Sequence, residues 1–368
     1  MSEDVAEWLQ RHCLRASNSG YACPFTCIFS QGKAKIAIVN REDPSDLYPH
    51  CPVEFIEDAE LTEDRQEIRD VLSEFVNHVI ARLDGFEDER VSSLRAQWQT
   101  VQGLSAEEEE FCRASGRLGL DPFDMENWPA GLLSWFERAL PGELDSAFAM
   151  DLMETPGPAR EKSAHHQALH QIIESFHLGP AANIMGPAFN AQTPYDEGYS
   201  LAEWVRRKLG LAQSDQLADV NDAAEVACQR ALRIQTSNLI PQSRVLAVVG
   251  WARNPGPIIA MRDQPKLDAA RFLCARGVYM ASRASSNGPR LVTEGRTWDQ
   301  RASRAFGAEL LAPRVGVREM FESTLRRIGQ DEVGHYEAET RVAQHYNVSP
   351  MIIRHQLENS RSSLSGWM

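Results

Sequence analysis

Nowhere in its 368 residues does the chain hold an apolar run long enough to cross a bilayer, since a spanning helix needs about 20 such residues in a row. Its opening, Met1-Ser2-Glu3-Asp4-Val5, is acidic and lacks the basic start and apolar stretch of a secretory leader. A soluble, cytoplasmic protein is therefore expected. Positive charge is also scarce: 38 Lys and Arg stand against 52 Asp and Glu, a net charge of −14. Such a surface repels phosphate backbones and argues against non-specific nucleic-acid binding. There is no G-x-G-x-x-G, no Walker-type Gly-Lys-Ser/Thr and no G-x-S-x-G elbow, so neither a phosphate-cradling loop nor that kind of serine nucleophile is signalled. The seven cysteines lie scattered at 13, 23, 27, 51, 112, 228 and 274. An odd, dispersed set suits reduced, buried thiols rather than a disulfide framework.

What is there suits a globular protein. With 43% hydrophobic and 24% charged residues, the chain has the makings of a real core, and its length allows two or three domains. Residues 5–17 read as a short helix. Phe25-Thr26-Cys27-Ile28-Phe29 and Ala34 to Val39 then form a hairpin about a Ser30-Gln31-Gly32 turn. Val53 to Ile56 is a candidate third strand. Cys23, Cys27, His50 and Cys51 make an incomplete zinc set, because no second paired knuckle follows; they read as small hydrophobes on the hairpin. Ile68, Leu72, Phe75, Val79 and Leu83 recur at helical spacing, with Thr62 as N-cap and Gly85 as the stop. Ser105 followed by Glu108 is a capping-box signature, which makes Glu107 to Glu110 a helix first turn rather than an acidic tract. Trp128 to Leu140 gives another amphipathic helix.

Residues 151–163, with Pro156, Gly157 and Pro158, read as a linker. His165, His166, His170 and His177 follow on one helix. His166 and His170 have the i, i+4 spacing of a metal pair, yet position 167, where a peptidase base would stand, is Gln. A loop-like stretch leads to a helix over 198–211 stopped by Gly210. Leu232 to Gln235 is a weak strand. Val245 to Trp251 and Pro257 to Met261 are stronger ones, joined by an Asn254-Pro255-Gly256 turn.

Phe306-Gly307-Ala308-Glu309-Leu310-Leu311-Ala312-Pro313, with Val348-Ser349-Pro350 after it, resembles the C-terminal half of the ImmA/IrrE family of metallopeptidase-like proteins. The Leu209-Gly210-Leu211 helix end, the strand pair and the Arg271-Phe272-Leu273-Cys274-Ala275 lead-in resemble it too. The likeness covers roughly residues 196–360; the first 150 residues carry none. Together with the local patterns above, the expectation is a predominantly helical α+β chain: an α+β domain over 1–100 and a helical connecting region over 101–190, both read from the local patterns, and, as the resemblance implies, a zincin-like domain with a small β-sheet over 191–368. That last domain ends in a helix-turn-helix-like element over 338–359.

The same resemblance implies an HExxH helix, in which two histidines hold zinc and a glutamate acts as base on the metal-bound water. Here the first histidine position is Arg276, the base position is Gly277 and the second histidine position is Met280. A guanidinium cannot ligate zinc, glycine takes no proton, and a thioether is a poor ligand for a hydrolytic ion. No shift of register repairs this, because no histidine occurs between His177 and His335. Asp299 and Gln300 are the candidates for the third-ligand position. Arg276 is expected to pair with Asp299, its fixed charge standing in for the metal. Glu309, Tyr279 and Trp298 are expected to be structural or groove residues, and Cys274 a buried thiol.

No catalytic residue, metal or other cofactor is then expected. The chain reads as a silent peptidase scaffold that holds a protein partner: a repressor, a toxin or a complex subunit, in a bacterial stress, mobile-element or phage-defence system. Direct nucleic-acid contact and membrane contact are not expected. Two alternatives stay open. One is an active metallopeptidase drawing zinc ligands from elsewhere, such as His165, His166 and His170, to cleave a repressor or antitoxin. The other is a DNA-binding regulator that uses the C-terminal element.

Overall fold

A computed structural model gives the fold. It describes residues 25–31, 33–39, 59–63 and, from 65 to 365, all but 119, 121, 124, 140–145, 156, 158, 180–188, 190, 192, 242–243, 253–255, 263–265, 284–287, 296 and 330. The protein is α+β and mostly helical, with a three-stranded sheet and a small mixed sheet of five strands. It divides into two compact units, Met1–Leu133 and Ser134–Met368.

In the first unit, β1 (Phe25–Gln31) and β2 (Lys33–Val39) pair antiparallel, with Gln31 opposite Lys33 at the turn. The third strand, β3, is Ala59–Glu63, pairing with β2. Thr62 therefore lies in a strand and is not a helix N-cap. Residues 5–17 and 53–56, and Cys23, His50 and Cys51, lie outside the described residues. Helix α1 (Arg65–Arg82) follows, and Gly85 ends its approach with φ +92°, a backbone state that glycine adopts without strain. The apolar spacing sets this helix, yet Phe75 on its stripe is 66% exposed, so spacing predicted the helix and not its burial. Helix α2 (Glu89–Gln102) is capped by Asp88. Helix α3 (Ala106–Arg117) begins with the capping box: Ser105 N donates to Glu108 Oε2 at 2.8 Å, and Glu108 N to Ser105 Oγ at 3.3 Å.

Helix α4 (Leu132–Ala139) carries the division between the units. The second unit then builds α5 (Ala147–Met153) and α6 (Ala159–Ser175). The expected linker over 151–163 is thus mostly helix, and Phe148, Leu152 and Met153 are core. Ser146 Oγ caps α5 by accepting from Ala149 N at 3.1 Å. At its other end the Lys162 ammonium donates to the carbonyls of Leu152, at 3.1 Å, and Thr155. A cation suits a helix C-terminus, where carbonyls are unpaired and the dipole is negative.

Strand β4 is Leu178–Gly179. Helix α7 (Pro194–Lys208) starts four residues before the expected Gly198, because Thr193 and Asp196 form a second capping box ahead of Pro194. It ends as expected at Gly210, φ +71°, with Leu211 N bonded to Arg206 O and Gly210 N to Arg207 O. Helix α8 (Val220–Cys228) follows. The sheet then assembles from β5 (Arg233–Thr236), β6 (Val245–Ala252), β7 (Gly256–Met261) and, beyond helix α9 (Leu267–Arg283), β8 (Arg290–Thr293). β6 is central. β7 runs antiparallel along one side with β5 parallel beyond it, and β8 and β4 share the other side. Strands β4 and β8 were not anticipated, since two and four residues show too little alternation to register.

Helix α10 (Trp298–Leu311) packs on α7 and α9. Gly198 makes this approach possible: a Cβ there would lie 2.3 Å from Ala302 O and 2.8 Å from Phe306 N, both backbone atoms. Arg206, buried on α7, binds the carbonyls of Leu310, Ala212 and Asp215. Three helices close the unit: α11 (Arg314–Ile328), α12 (Glu332–Tyr346) and α13 (Pro350–Ser365). Asn347 turns between the last two in the left-handed region, φ 53°.

Candidate functional site

The α9 and α10 residues singled out from the sequence lie on two helices packed against each other, with α9 resting on the sheet. On α9 the facing line is Phe272 and Arg276, one turn apart. Gly307 of α10 receives both, since a Cβ on it would come 3.0 Å from Phe272 Cε2 and 3.4 Å from Arg276 Cγ. Gly277 turns elsewhere. A Cβ on it would lie 2.6 Å from Ile259 Cδ1 on β7, so Gly277 is a seat for the sheet. Met280 is fully buried.

Arg276 is 3% exposed and does not pair with Asp299 as the sequence led us to expect. It donates from Nε to Ser303 Oγ at 3.2 Å, and from one terminal nitrogen to Thr293 O at 2.7 Å and Gln300 Oε1 at 2.9 Å. All three acceptors are neutral. Burial and the neighbouring Arg304 both work against its charge, lowering its pKa. Asp299 pairs instead with Arg290 on β8, at 2.7 Å.

Gln300 joins two polar clusters. Its amide oxygen accepts from Arg276 and from Thr293 N at 2.9 Å, and its amide nitrogen donates to Leu291 O at 2.6 Å and to Asp151 Oδ1 at 3.0 Å. Asp151 is 2% exposed and reaches in from α5. It accepts from Arg290 Nε at 2.8 Å, Arg290 Nη2 at 3.2 Å and Leu291 N at 3.0 Å. Burial opposes the charge of Arg290, yet Asp151 and Asp299 outweigh it and hold its pKa above the ordinary value. Sequence reasoning missed Asp151 and Arg290, because partners 139 residues apart leave no local pattern.

A second carboxylate sits at the outer end of the same helix pair. Glu197 of α7 accepts from Tyr279 Oη at 3.0 Å and Trp298 Nε1 at 2.6 Å, and Arg283 Nε lies 3.0 Å from it. Side chains of Glu197 and Arg283 keep 19% and 23% of their surface, so this cluster faces outward where the Arg276 cluster does not. Burial, with Asp299 and Glu197 close by, raises the Tyr279 pKa. Tyr279 and Trp298 thus act as donors as well as packing groups. Only the acidic first turn of α7 hinted at Glu197.

Glu309, 1% exposed, accepts from Arg314 N at 3.2 Å, Arg314 Nε at 3.1 Å and Gln356 Nε2 at 3.0 Å. It caps α11, whose N-cap residue Pro313 offers no side-chain hydrogen bond. Burial pushes its carboxyl above the usual range, against the pull of Arg314. Cys274 and Cys228 are buried, and burial pushes both thiols up to about 12. In the C-terminal element Arg341 pairs with Glu337 and Arg354 with Glu339, which offsets the basic face a DNA reader would need.

The residues on this face do not fit zinc. A tetrahedral site needs nitrogen, sulfur or carboxylate donors. Position 276 offers a guanidinium, 277 packs on Ile259, 280 is a thioether, Gln300 has its amide oxygen engaged by two donors, and Asp299 is bound to Arg290. Away from this face, His166 and His170 of α6 point their Nε2 atoms at each other, 3.1 Å apart. Among the described residues, no group of three or more His, Cys, Asp and Glu is placed to hold a metal ion, and no helix is long and apolar enough to cross a membrane. No family model matches the chain, and no curated protein or solved structure matches it.

Proposed function

We propose that the chain is a divergent ImmA/IrrE-type protein whose zincin-like unit has given up hydrolysis and serves as a scaffold for a protein partner. The role is regulatory, or that of a complex subunit, in a bacterial stress, mobile-element or phage-defence system. The observation that carries this reading is the seating of Arg276. On the helix face that the family uses for zinc, a guanidinium is buried and bonded to a backbone carbonyl, an amide and a hydroxyl. A divalent cation beside it would meet like charge and no free donor. The outward part of the second cluster, Glu197, Trp298 and Arg283 over the buried Tyr279, supplies what a partner-binding surface uses: an indole held by a hydrogen bond to Glu197 and a guanidinium held there by an ion pair.

The test has two arms. Metal content and peptide cleavage are measured on the purified chain and on a variant lacking the His166–His170 pair. Stoichiometric zinc or manganese that persists in that variant, with chelator-sensitive cleavage, overturns the reading. In the second arm, a partner recovered from the native host should bind the wild type and lose affinity on Trp298→Ala. Unchanged affinity removes this surface from the proposal.

A further inference from the structure

We propose that His166 and His170 form a two-histidine clip for a late first-row transition-metal ion, of the zinc, copper(II) and nickel class. It is distinct from the α9 face and independent of the scaffold reading. The two residues lie one turn apart on α6, so both rings leave the same side of the helix. Their Nε2 atoms are 3.1 Å apart. With metal–nitrogen bonds of about 2.0–2.1 Å, two imidazoles on one ion sit roughly 2.9 Å apart at a right angle and about 3.4 Å apart at a tetrahedral angle. The observed separation falls between these limits, and with the ring centroids 4.3 Å apart the rings must turn about their side-chain bonds for both lone pairs to meet an ion, while the helix stays in place.

The rings are also held. His166, 6% exposed, meets Trp135 edge-on at 5.5 Å and Phe148 at 5.8 Å, and His170 meets Phe148 at 5.4 Å and 78°. Much of the rotamer entropy that an exposed pair loses on chelation is already lost here. His170 is half-buried, so its ring is not wholly shut off from solvent.

In the neutral pair one Nε2 carries a proton and the other accepts it. On metal entry that proton passes through solvent to the same ring's Nδ1, and both Nε2 lone pairs turn to the ion. Net charge changes only by the cation. Imidazole is a borderline donor that favours this metal class over magnesium or calcium. Lys162, one turn earlier on α6, opposes a cation, but its ammonium is committed to the carbonyls at the end of α5. The two described donors fall short of the closed four-donor sites of structural zinc.

The experiment is a titration of chelator-stripped full-length chain with Co2+, followed by visible absorption and by competition with Zn2+. One Co2+ per chain should bind, show ligand-field bands without a thiolate charge-transfer band, and leave when Zn2+ is added. His170→Ala should lower the affinity at least about tenfold, while Met280→Leu should not change it. No saturable binding, a thiolate band, or an affinity unchanged by His170→Ala would overturn the proposal. Should His170→Ala not fold, the wild type decides: bound Co2+ must shift or broaden the ring-proton NMR signals of His166 and His170, and signals left in place refute the clip.

Discussion

Replacing Asp151 by alanine tests the buried polar network most directly. The carboxylate is 2% exposed and accepts from Arg290 twice, from Leu291 N and from Gln300 Nε2. Alanine removes every one of these acceptors at once. Breaking a buried ion pair from one side costs about 3–5 kcal/mol, because the remaining charge stays buried. An orphaned backbone N–H adds about 1–3 kcal/mol. Arg290 keeps Asp299 at 2.7 Å, a carboxylate with 37% of its side chain exposed, which recovers part of the loss. The net expectation is about 4 kcal/mol. For a unit of this size each kcal/mol moves the melting temperature by about 2–4 °C, so calorimetry should find a fall of roughly 10 °C. Asp151→Asn should also destabilise. Its amide would turn donors toward donors, and Gln300 cannot flip to answer, since its oxygen is held by Arg276 and Thr293 N. Asp151→Ala combined with Arg290→Met should recover stability relative to Asp151→Ala alone, as a buried pair removed whole is often nearly neutral. A loss below about 1 kcal/mol for Asp151→Ala would refute the network and the placement of α5 in the second unit.

Further outcomes follow from the same geometry. Gly198→Ala should cost about 3 kcal/mol in denaturant unfolding, because its Cβ meets α10 backbone that cannot move aside. Gly277→Ala should be within about 1 kcal/mol of wild type, because only the mobile tip of Ile259 must shift and alanine favours a helix. Gly277→Glu should be far worse, since a carboxylate would press on the sheet, and Arg276→His with Gly277→Glu and Met280→His should not create a peptidase; zinc-dependent cleavage by that triple variant would contradict this. The raised pKa of Glu309 means that its contribution to stability is full below the unfolded carboxylate value, about 4.3, and is lost as pH rises through the folded value. In melting curves the stability of wild type should therefore fall relative to Glu309→Gln as the pH rises above about 4.3. A thiol reagent at pH 8 should leave Cys228 and Cys274 unmodified in the folded protein, because burial holds both thiols protonated.

Local signals in the sequence did much of the work wherever a residue's partner lies within a turn or two. The Ser105–Glu108 box, the Gly210 stop, the β6–β7 pair and the amphipathic run from Phe306 to Pro313 all carry their cause within a few residues. Helical spacing over 68–83 was also legible, but the exposure of Phe75 was not, because periodicity names a face without saying what covers it. The same limit made a linker of 151–163. Gly157, φ +134°, is a real break, but it lies between two helices that the fold needs.

The identities of Arg276, Gly277 and Met280 are set by the sequence alone, and with them the fact that positions 276 and 277 offer no zinc ligand, since no arrangement makes a guanidinium or a glycine into one. Tertiary structure decided everything that depends on distance. It sent Asp299 to Arg290, gave Arg276 three neutral acceptors, and brought Asp151 to Gln300 across 149 residues of chain. A buried charge takes whichever acceptor the packed backbone brings within 3 Å, and that choice is made only when the helices and the sheet have closed together.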